Sequence, residues 1–411
     1  MRRHLRSWPV LRRAREAHKI NSMCAASEAF SLYIHIPYCI SKCPYCDFNS
    51  HVVPVIPEYQ YTEALLRELE QYGSLNDWRN RPVQSIFFGG GTPSTFRPAS
   101  IDKMLQRAAA LFRIEQNCEI TLEANPGTVD QENFVGYREA GINRISVGVQ
   151  SFQPQLLTFL GRAHSAGDAR TALEVVKKAG FDNFSFDLIY ANPSQTLAEL
   201  EADLGTALEF QSPHLSAYNL TFEEGTPFHR DYRAGKLHSL NEDEEIAMAE
   251  LVEDKLRAAG LERYEISNYA KPGQHSRHNV NYWRGGDYLG VGAGAHSYRK
   301  MSANGCTGRR WSNEKSPARY MDQIGTSNQA VVGQEDIDPA RAASEFMFLG
   351  LRMTEGIFHD SFRARFGRTP VEFFPRMTDW LEGELMEEKG GFLRLTHKGL
   401  MVANSIFVQF M

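Results

Sequence analysis

The chain has 411 residues, of which 42% are apolar and 23% are charged, as in an average folded globular protein. This composition excludes a disordered tail protein, a collagen-like fibre and a disulfide scaffold, and no run approaches the roughly 18–20 consecutive apolar residues of a membrane helix. The net charge is −5, and because residues 1–28 carry +5 the remaining body is acidic at −10, which argues against a nucleic-acid partner.

The basic leader, residues 1–29, has two interpretations and is expected to be unstructured. Arg-rich, acid-poor leaders are typical of organelle transit peptides. The alternative, which we favour, is an upstream start codon with Met23 rather than Met1 as the working initiator. Because no secretory apolar core is present, we expect a cytoplasmic protein, and a mitochondrial one only if the leader is a true transit peptide.

Short β-rich runs alternate with helical patterns through residues 30–230. Strands are predicted at 31–36, 84–88, 118–123, 144–148, 184–189 and 215–220. Helices are predicted near 57–72, 100–112, 131–140, 166–179 and 196–210. Strands that alternate with helices indicate βαβ units and a parallel sheet. Six such units predict an α/β fold built as a partial (β/α)6 barrel.

The regular alternation of strands and helices ends after the sixth predicted strand. A helix near 243–259 and a Gly-, Tyr- and His-rich segment belong to a linking region, residues 231–330. A polar stretch at 302–316 is expected to connect this region to a C-terminal domain, residues 331–411. That domain reads as two or three helices followed by the hairpin-like run Gly-Gly-Phe-Leu-Arg-Leu-Thr. A module of this size with short helices and a hairpin predicts a small helical, winged-helix-like domain.

Three of the six cysteines lie within eight residues, directly after the first predicted strand. Cys39, Cys43 and Cys46 have the spacing C-x3-C-x2-C, and thiolates are ligands suited to iron–sulfur clusters or zinc. Three thiolates on one loop can hold three irons of a cubane cluster and leave the fourth iron open to a small ligand. The alternative is a zinc site completed by His35 or His51. Structural zinc usually takes ligands from two separated pairs, and the sequence contains no second pair.

Polar residues and glycines follow the ends of the other predicted strands. Gly90, Gly91 and Thr92 come after the second strand, where glycines let the backbone approach a ligand and exposed N–H groups can cradle a charged group. The further polar residues near strand ends are Glu123, Gln150, Arg162 and Asp187. Each one alone is equally consistent with a capped or solvated loop. Because ligands of α/β barrels gather at the C-terminal ends of strands, these residues can converge on one ligand.

The cysteine loop, with Tyr33-Ile-His35 before it and Tyr45 inside it, looks like the cluster loop of the radical S-adenosylmethionine (SAM) superfamily. The resemblance implies a [4Fe–4S] cluster on the three cysteines, with the amino and carboxylate groups of SAM on the open iron. In that superfamily, reduction of the cluster cleaves SAM to a 5′-deoxyadenosyl radical. The resemblance further implies SAM contacts from Tyr33, Tyr45, Gly90, Gly91, Thr92, Glu123, Gln150, Arg162 and Asp187, with the acids on hydroxyl groups and Arg162 near the carboxylate.

From about residue 31 to residue 298 the motifs resemble the branch that contains oxygen-independent coproporphyrinogen III oxidase. The oxidase has a fourth cysteine two residues after the third, whereas Cys46 is followed by Asp47-Phe48 here. It also carries an N-terminal segment that covers the substrate, and only the basic leader precedes the first strand of this chain. Both departures speak against oxidative decarboxylation of coproporphyrinogen III. That activity stays the alternative, together with a radical-SAM reaction on an unrelated substrate.

The run His278-Asn279-x-x-Tyr282-Trp283 looks like the motif of HemW, the family of heme chaperones in this branch. A neutral imidazole is a common axial ligand of heme iron, and aromatic rings can pack on a porphyrin face. The alternative is a hydrogen-bonded structural histidine beside a core tryptophan. The candidate heme residues are His278, Asn279, Tyr282 and Trp283, with His275 and His296 as further candidates for the iron ligand.

The resemblance therefore implies a heme chaperone that binds a [4Fe–4S] cluster, SAM and heme, and passes heme to apo-hemoproteins, plausibly membrane-bound respiratory enzymes. It also makes a homodimer plausible. One departure lies close to the expected SAM pocket. The resembled proteins commonly carry Gly-Leu or Gly-Ile before the proline that follows the fifth strand, and this chain has Ala191-Asn192 before Pro193. The substitution removes a flexible, apolar pair.

Overall fold

The computed structural model describes residues 29–303 and 306–411, so the predictions for the leader and its start codon lie outside the described residues. A 12-stranded sheet dominates the fold, and six parallel strands occupy its centre in sequence order. These strands are β1 (Phe30–Ile36), β2 (Pro82–Gly90), β3 (Arg113–Ala124), β4 (Arg144–Gln150), β5 (Phe184–Tyr190) and β6 (His214–Asn219). All six predicted strands are confirmed.

Helices cross over between these strands and cover one face of the sheet. They are α1 (Glu58–Ser74), α2 (Pro98–Leu111), α3 (Gln131–Ala140), α4 (Pro154–Phe159), α5 (Ala166–Lys178) and α6 (Leu197–Glu209). Local sequence sets several of their ends. Ser165 and Thr196 each form a capping box, and Gly141 ends α3 in a left-handed conformation with φ of 110°. The short α4 is the one member of this group that the sequence pattern did not predict.

The sheet stays open and is extended on both sides of the parallel strands. β8 (Asn268–Ala270) pairs antiparallel with β6 and carries β7 (Glu262–Arg263) at its edge. Beyond β1 lie β9 (Tyr288–Val291), β10 (His296–Ala303), β11 (Cys306–Asn313) and β12 (Val331–Ile337). The expectation that 302–316 is a polar connection is wrong, because β11 lies inside the sheet between β10 and β12. The associated helices are α7 (Pro227–Arg233), α8 (Glu242–Ala258), α9 (Arg277–Trp283) and α10 (Pro317–Ser327).

The last part of the chain surrounds a core of its own, built on residues such as Met347, Phe362 and Leu393. Its helices and strands are α11 (Pro339–Gly350), β13 (Ile357–Phe358), α12 (His359–Phe366), α13 (Pro370–Phe373), α14 (Met377–Glu382), β14 (Met386–Lys389), β15 (Phe392–Leu395), α15 (His397–Met401) and α16 (Ala403–Phe407). The predicted hairpin is confirmed as β14–β15. The predicted two or three helices are too few, because glycine and proline divide the helical pattern into short pieces. The domain boundaries themselves stay a prediction.

Strand β1 shows how the sequence creates an inner face for a site. Its alternate residues Phe30, Leu32 and Ile34 are fully buried in the core shared with the helices. Full burial of such side chains contributes about 1.5–3 kcal/mol each. The intervening Tyr33 and His35 belong to the opposite face of the sheet, since strand side chains alternate. Among the described helices, none is long and apolar enough to cross a membrane.

Candidate functional site

The loop between β1 and α1 holds the three cysteines at the C-terminal end of β1, and the backbone fixes its shape. His51 N–H donates to the Pro37 carbonyl at 2.6 Å, and Cys39 N–H donates to the His51 carbonyl at 3.0 Å. Cys46 N–H donates to the Cys43 carbonyl at 3.2 Å. The first pair of bonds closes the base of the loop, and the last bond turns the Cys43–Cys46 segment back on itself.

Asn49 attaches this loop to the rest of the sheet. Its Nδ2 donates to the Ala293 carbonyl at 2.9 Å, next to the end of β9. The His35 ring lies between the Tyr33 hydroxyl, 3.0 Å from Nδ1, and the Asn49 carbonyl, 2.9 Å from Nε2. Nε2 of His51 lies 3.1 Å from Oδ1 of Asn49. Both imidazoles that could complete a zinc site are thus engaged in hydrogen bonds, which does not favour the zinc alternative.

The cysteine loop forms one wall of a cavity of about 400 Å³ at the C-terminal ends of the parallel strands. The predicted cluster and SAM residues that line this cavity are Cys39, Cys43, Cys46, Tyr45, Gly90, Gly91, Thr92, Glu123, Gln150, Arg162 and Asp187. Tyr33 lines a neighbouring cavity instead. Within the described ranges, no three His, Cys, Asp or Glu side chains are spaced to hold a single metal ion. The residues predicted from separate strand ends therefore share one space, which we call the cluster cavity.

Arg162 supplies a fixed positive charge beside the thiols. Its Nη1 lies 3.3 Å from Sγ of Cys43 and 3.4 Å from the Tyr45 hydroxyl, and its Nη2 donates to the Gly148 carbonyl at 2.8 Å. Its Nε is buried without a hydrogen-bond partner in the described part of the chain. Buried donors are nearly always paired, and a guanidinium pairs best with a carboxylate. The unmet donor therefore fits a carboxylate ligand such as that of SAM.

Two carboxyl groups line the other side of the cluster cavity. Burial, and then repulsion from Asp187, raises the pKa of Glu123 to about 8, although the Gly90 N–H donates to its Oε2 at 3.3 Å. Burial raises the pKa of Asp187 to about 6, against the opposing effect of a hydrogen bond from Ser216. A carboxyl pair that is partly protonated near neutral pH can both donate and accept hydrogen bonds. Such a pair suits the hydroxyl groups of a sugar.

Gly90 at the end of β2 and Gly91 directly after it are required by packing within the chain. Gly90 has φ of +113°, and a Cβ there would lie 2.4–2.8 Å from atoms of the His35 ring. A Cβ on Gly91 would lie 2.7 Å from the carbonyl oxygen of Tyr38. The Thr92 N–H donates to that same carbonyl at 2.8 Å, and the Gly91 N–H donates to the last carbonyl of β1. The prediction that exposed N–H groups here cradle a charged group is therefore wrong, since the chain itself accepts them.

Several residues of the cluster cavity were not predicted from the sequence. Tyr218 and Thr221 line it from the end of β6, and Lys42 and Phe48 line it from the cysteine loop. The rule that parallel strands end at the same edge could have found Tyr218, because β6 was predicted. Lys42 donates through Nζ to the Phe48 carbonyl at 3.3 Å, a contact that no spacing pattern indicates.

The departure at Ala191-Asn192 has a structural consequence. Ala191 has φ of +58°, in the left-handed region that glycine enters at no steric cost. An alanine there costs about 1–2 kcal/mol. Asn192 is fully buried, and its Nδ2 donates to the Ile189 carbonyl at 2.9 Å and to Oε1 of Gln195 at 3.1 Å. A local hydrogen-bond network thus occupies the position where the resembled proteins place an apolar side chain.

His278 occupies a buried, fully bonded position on α9. Its Nδ1 lies 3.0 Å from Oγ of Ser85, and its Nε2 lies 3.0 Å from the Tyr282 hydroxyl. Its ring stacks on Phe87 with centroids 4.9 Å apart, and burial lowers its pKa to about 3. This environment is that of a structural histidine, the alternative to an iron ligand. The adjacent Asn279 is half-buried.

The remaining heme candidates lie in different places. Trp283 packs against the C-terminal domain, where the guanidinium of Arg352 lies 4.5 Å from its ring centroid. His275 is exposed and lines neither the cluster cavity nor the cavity beside it. Tyr282 and His296 line two cavities that adjoin the sheet. The structure therefore separates the candidate heme residues rather than bringing them all together.

Family comparison matches both parts of the chain. Residues 33–207 match the radical SAM superfamily, and residues 337–402 match the HemN C-terminal domain. The chain is 35% identical to heme chaperone HemW of Bacillus subtilis, and the match covers 93% of this chain and 99% of that protein. It is 38% identical to heme chaperone HemW of Haemophilus influenzae, over 93% of this chain and 97% of that protein.

Among solved structures, the chain resembles coproporphyrinogen III oxidase (HemN) from Escherichia coli, described as a radical SAM enzyme. The TM-score is 0.78 at 21% identity, and the match covers 94% of this chain and 92% of the oxidase. At this identity the likeness bears on the fold. It confirms the predicted radical-SAM part-barrel with a small helical C-terminal region.

Proposed function

The chain belongs to the HemW family within the radical SAM superfamily, and from this membership we propose that it is a heme chaperone. It binds a [4Fe–4S] cluster, SAM and heme, and it delivers heme to apo-hemoproteins. The observation that carries the proposal is similarity along 93% of the chain to proteins named heme chaperones. The likeness to the oxidase is at 21% identity and supports the fold alone.

The cluster cavity supports the cofactor part of the proposal. Cys39, Cys43 and Cys46 would hold the cluster, which when bound supplies an electron for reductive chemistry on SAM. Burial raises the pKa of the Cys39 and Cys46 thiols, so that binding of iron has to displace their protons. Thr92 donates through Oγ1 to Sγ of Cys39 at 3.4 Å and so orients this ligand.

The SAM residues have distinct roles in the proposal. Arg162 pairs with the carboxylate of SAM through the guanidinium donor that has no partner within the chain. Glu123 and Asp187 bind the ribose hydroxyls, as their partly protonated state allows. The residues proposed to shape the rest of the SAM pocket are Tyr33, Tyr45, Gly90, Gly91, Thr92 and Gln150.

Heme is the cargo of the proposed chaperone, which acts in the cytoplasm. The heme enters the protein near α9, where Tyr282 of the predicted motif lines two cavities. His278 and Trp283 hold that helix in place by the contacts described above, and Asn279 lies half-buried between them. Membrane-bound respiratory enzymes are the proposed recipients, and a homodimer is the proposed assembly, which sedimentation of the cluster-loaded protein would test.

Transfer of heme tests the function directly. Anaerobically reconstituted protein carrying one heme is mixed with heme-depleted membranes that contain an apo-respiratory enzyme, and recovery of the enzyme's heme spectrum is followed. Heme-loaded albumin serves as a non-specific carrier for comparison. We expect faster and more complete transfer from the chaperone than from albumin. Equal rates from both carriers, or failure of the protein to bind heme, would contradict the proposal.

A parallel assay addresses the rival enzymatic function. The reconstituted protein is incubated anaerobically with SAM, a reductant and coproporphyrinogen III, and protoporphyrinogen is measured after oxidation to the porphyrin. Because Phe48 stands where the oxidase has its fourth cysteine, we expect no product above that formed without protein. Catalytic turnover would replace the chaperone proposal with the oxidase. Cleavage of SAM that neither porphyrin nor heme stimulates would instead indicate an unrelated substrate.

A further inference from the structure

A groove of about 840 Å³ runs between the sheet and the C-terminal domain. Tyr282, Tyr288 and Tyr298 line it from the sheet side, and Phe348 and Phe410 line it from the C-terminal domain. The Tyr282 and Tyr288 rings meet edge to face with centroids 4.7 Å apart. The volume falls within the range of about 300–1,000 Å³ that is usual for small-molecule sites. Aromatic walls on two sides suit a broad, flat, apolar ligand.

The groove contains three arginines, and carboxylates pair with two of them, since Arg310 contacts Glu345 and Arg341 contacts both Glu345 and Glu335. Among its lining residues that the structure describes, Arg310, Arg341 and Arg365 are basic and Glu345 is the one acid. Arg310 donates to Glu345 at 2.6 Å, and Arg341 donates to the same carboxylate at 3.3 Å. Arg365 donates to the Tyr298 hydroxyl at 3.0 Å and has no carboxylate partner within the described part of the chain. Its guanidinium is therefore available to an acidic group on a ligand.

His296 places an imidazole on the wall of the groove. It is the first residue of β10, is exposed, and its ring makes no hydrogen bond to a described residue. It lines both the groove and a second cavity of about 640 Å³. His278, in contrast, would have to give up its contact with Ser85 before Nδ1 could bind iron, or its contact with Tyr282 before Nε2 could. His296 is thus the candidate imidazole that is ready to act as a ligand.

The second cavity connects this histidine to the cluster cavity. It shares Tyr282 and His296 with the groove. It shares Lys42, Asp47 and Glu123 with the cluster cavity. His296 and residues of the cysteine loop therefore line the same second cavity.

We propose that this groove is the heme site, with His296 as the iron ligand and Arg365 bound to a propionate. The proposal rests on the proposed function, because it takes heme as the cargo. Heme combines a flat apolar ring, two carboxylates and an iron that accepts imidazole, and the groove offers a counterpart to each. Tyr282 belongs to both the predicted motif and this site. Its ring lines the groove, and its hydroxyl forms a hydrogen bond with Nε2 of His278.

The iron ligand is tested by anaerobic heme titration of the cluster-loaded full chain, with the Soret band and Kd as readouts. His296→Ala should shift the Soret band and weaken binding about tenfold or more, since an axial bond is lost. His397→Ala is the matched control, because this exposed imidazole on α15 lines none of the three cavities. The control should bind heme as the wild type does, and cluster absorption should be unchanged in both variants.

The propionate contact is tested with heme and with its dimethyl ester, which lacks the carboxylates. Arg365→Gln should weaken heme binding about tenfold, because a charge-assisted hydrogen bond usually contributes about that much to affinity. Binding of the ester should stay unchanged. Arg363→Gln is its control on the same helix, since Arg363 is exposed, pairs with Asp360 and lies outside the groove. Equal weakening of heme and ester by Arg365→Gln would overturn the propionate assignment.

The outcomes separate the site from the function. A wild-type Soret band and Kd in His296→Ala, with both altered in His278→Ala, would overturn the groove site and leave the chaperone function standing. Absence of stoichiometric heme binding by the wild type would overturn the function and the site together. Loss of binding in His296→Ala alone, with the cluster intact, supports the proposal.

Discussion

Glu68 offers a quantitative test of the packing between the part-barrel and its added strands. This residue of α1 is 2% exposed and accepts three hydrogen bonds. The Tyr320 hydroxyl donates at 2.6 Å, Nδ2 of Asn313 donates at 2.6 Å and the Gly292 N–H donates at 2.8 Å. One carboxyl group therefore joins α1 to the end of β9, to β11 and to α10.

The protonation of this group should make stability depend on pH. Burial raises the pKa of Glu68 from 4.5 to about 7, against the opposing effect of its three donors. Between these values the folded protein keeps a proton that the unfolded chain has released, so stability falls as the pH rises. The difference between the two pKa values corresponds to about 3 kcal/mol of folding stability, of which about 2 kcal/mol is lost between pH 5 and pH 8. The contribution is complete below about pH 4.5 and gone above about pH 7.

Urea denaturation at pH 5 and pH 8, followed by tryptophan fluorescence, measures this difference. Glu68→Gln removes the titrating group. Between pH 5 and pH 8 the free energy of unfolding of this variant should therefore fall by about 2 kcal/mol less than that of the wild type. Glu70→Gln is the matched control, because Glu70 lies on the same helix, is exposed and pairs with Arg107 on the surface. It should keep the pH dependence of the wild type. The same dependence in Glu68→Gln would refute the reasoning.

Three further predictions follow from single residues. Cys43→Ala should abolish the bound iron and the visible absorption of the reconstituted protein, while Cys118→Ala, a buried cysteine outside the cluster cavity, should keep both. Survival of the cluster in single variants of all three loop cysteines would show that the ligands are elsewhere. Arg162→Lys should weaken SAM binding about tenfold in equilibrium dialysis, because lysine lacks the planar donor set, and an unchanged Kd would contradict the carboxylate contact. Ala191→Gly should raise the free energy of unfolding by about 1 kcal/mol in urea, since it relieves a left-handed alanine, and a loss of stability would disprove the strain.

Local sequence was sufficient to predict the part-barrel. Helix α3 has the predicted bounds, because Asp130 caps its start and Gly141 ends it. Strand β5 extends one residue beyond the predicted 184–189. Hydrophobic period, capping and turn residues act within a few positions, so they can be recognised in one sequence. The three cysteines were equally clear, because their spacing places them on one short loop after β1.

Contacts between distant segments could not be predicted in the same way. Asn49 holds the cysteine loop through Ala293, which lies 244 residues later in the chain. Gly90 at the end of β2 and the following Gly91 are explained by the ring of His35 and the backbone of Tyr38 rather than by a ligand. These contacts form only when β1, β2 and the cysteine loop pack together. The sequence pattern of any one of these segments therefore cannot predict them.

The sequence alone determined the order of the parallel strands, the cysteine motif and the family that these features resemble. It put His278 first through its motif and left His275 and His296 as further candidates for the iron ligand, because a residue name carries no information on burial or bonding. Tertiary packing buries His278 between Ser85 and Tyr282 and leaves His296 facing two cavities. The physical reason is that β9–β12 and the C-terminal domain meet α9 only in the folded chain, and the open space between them is a property of that packing.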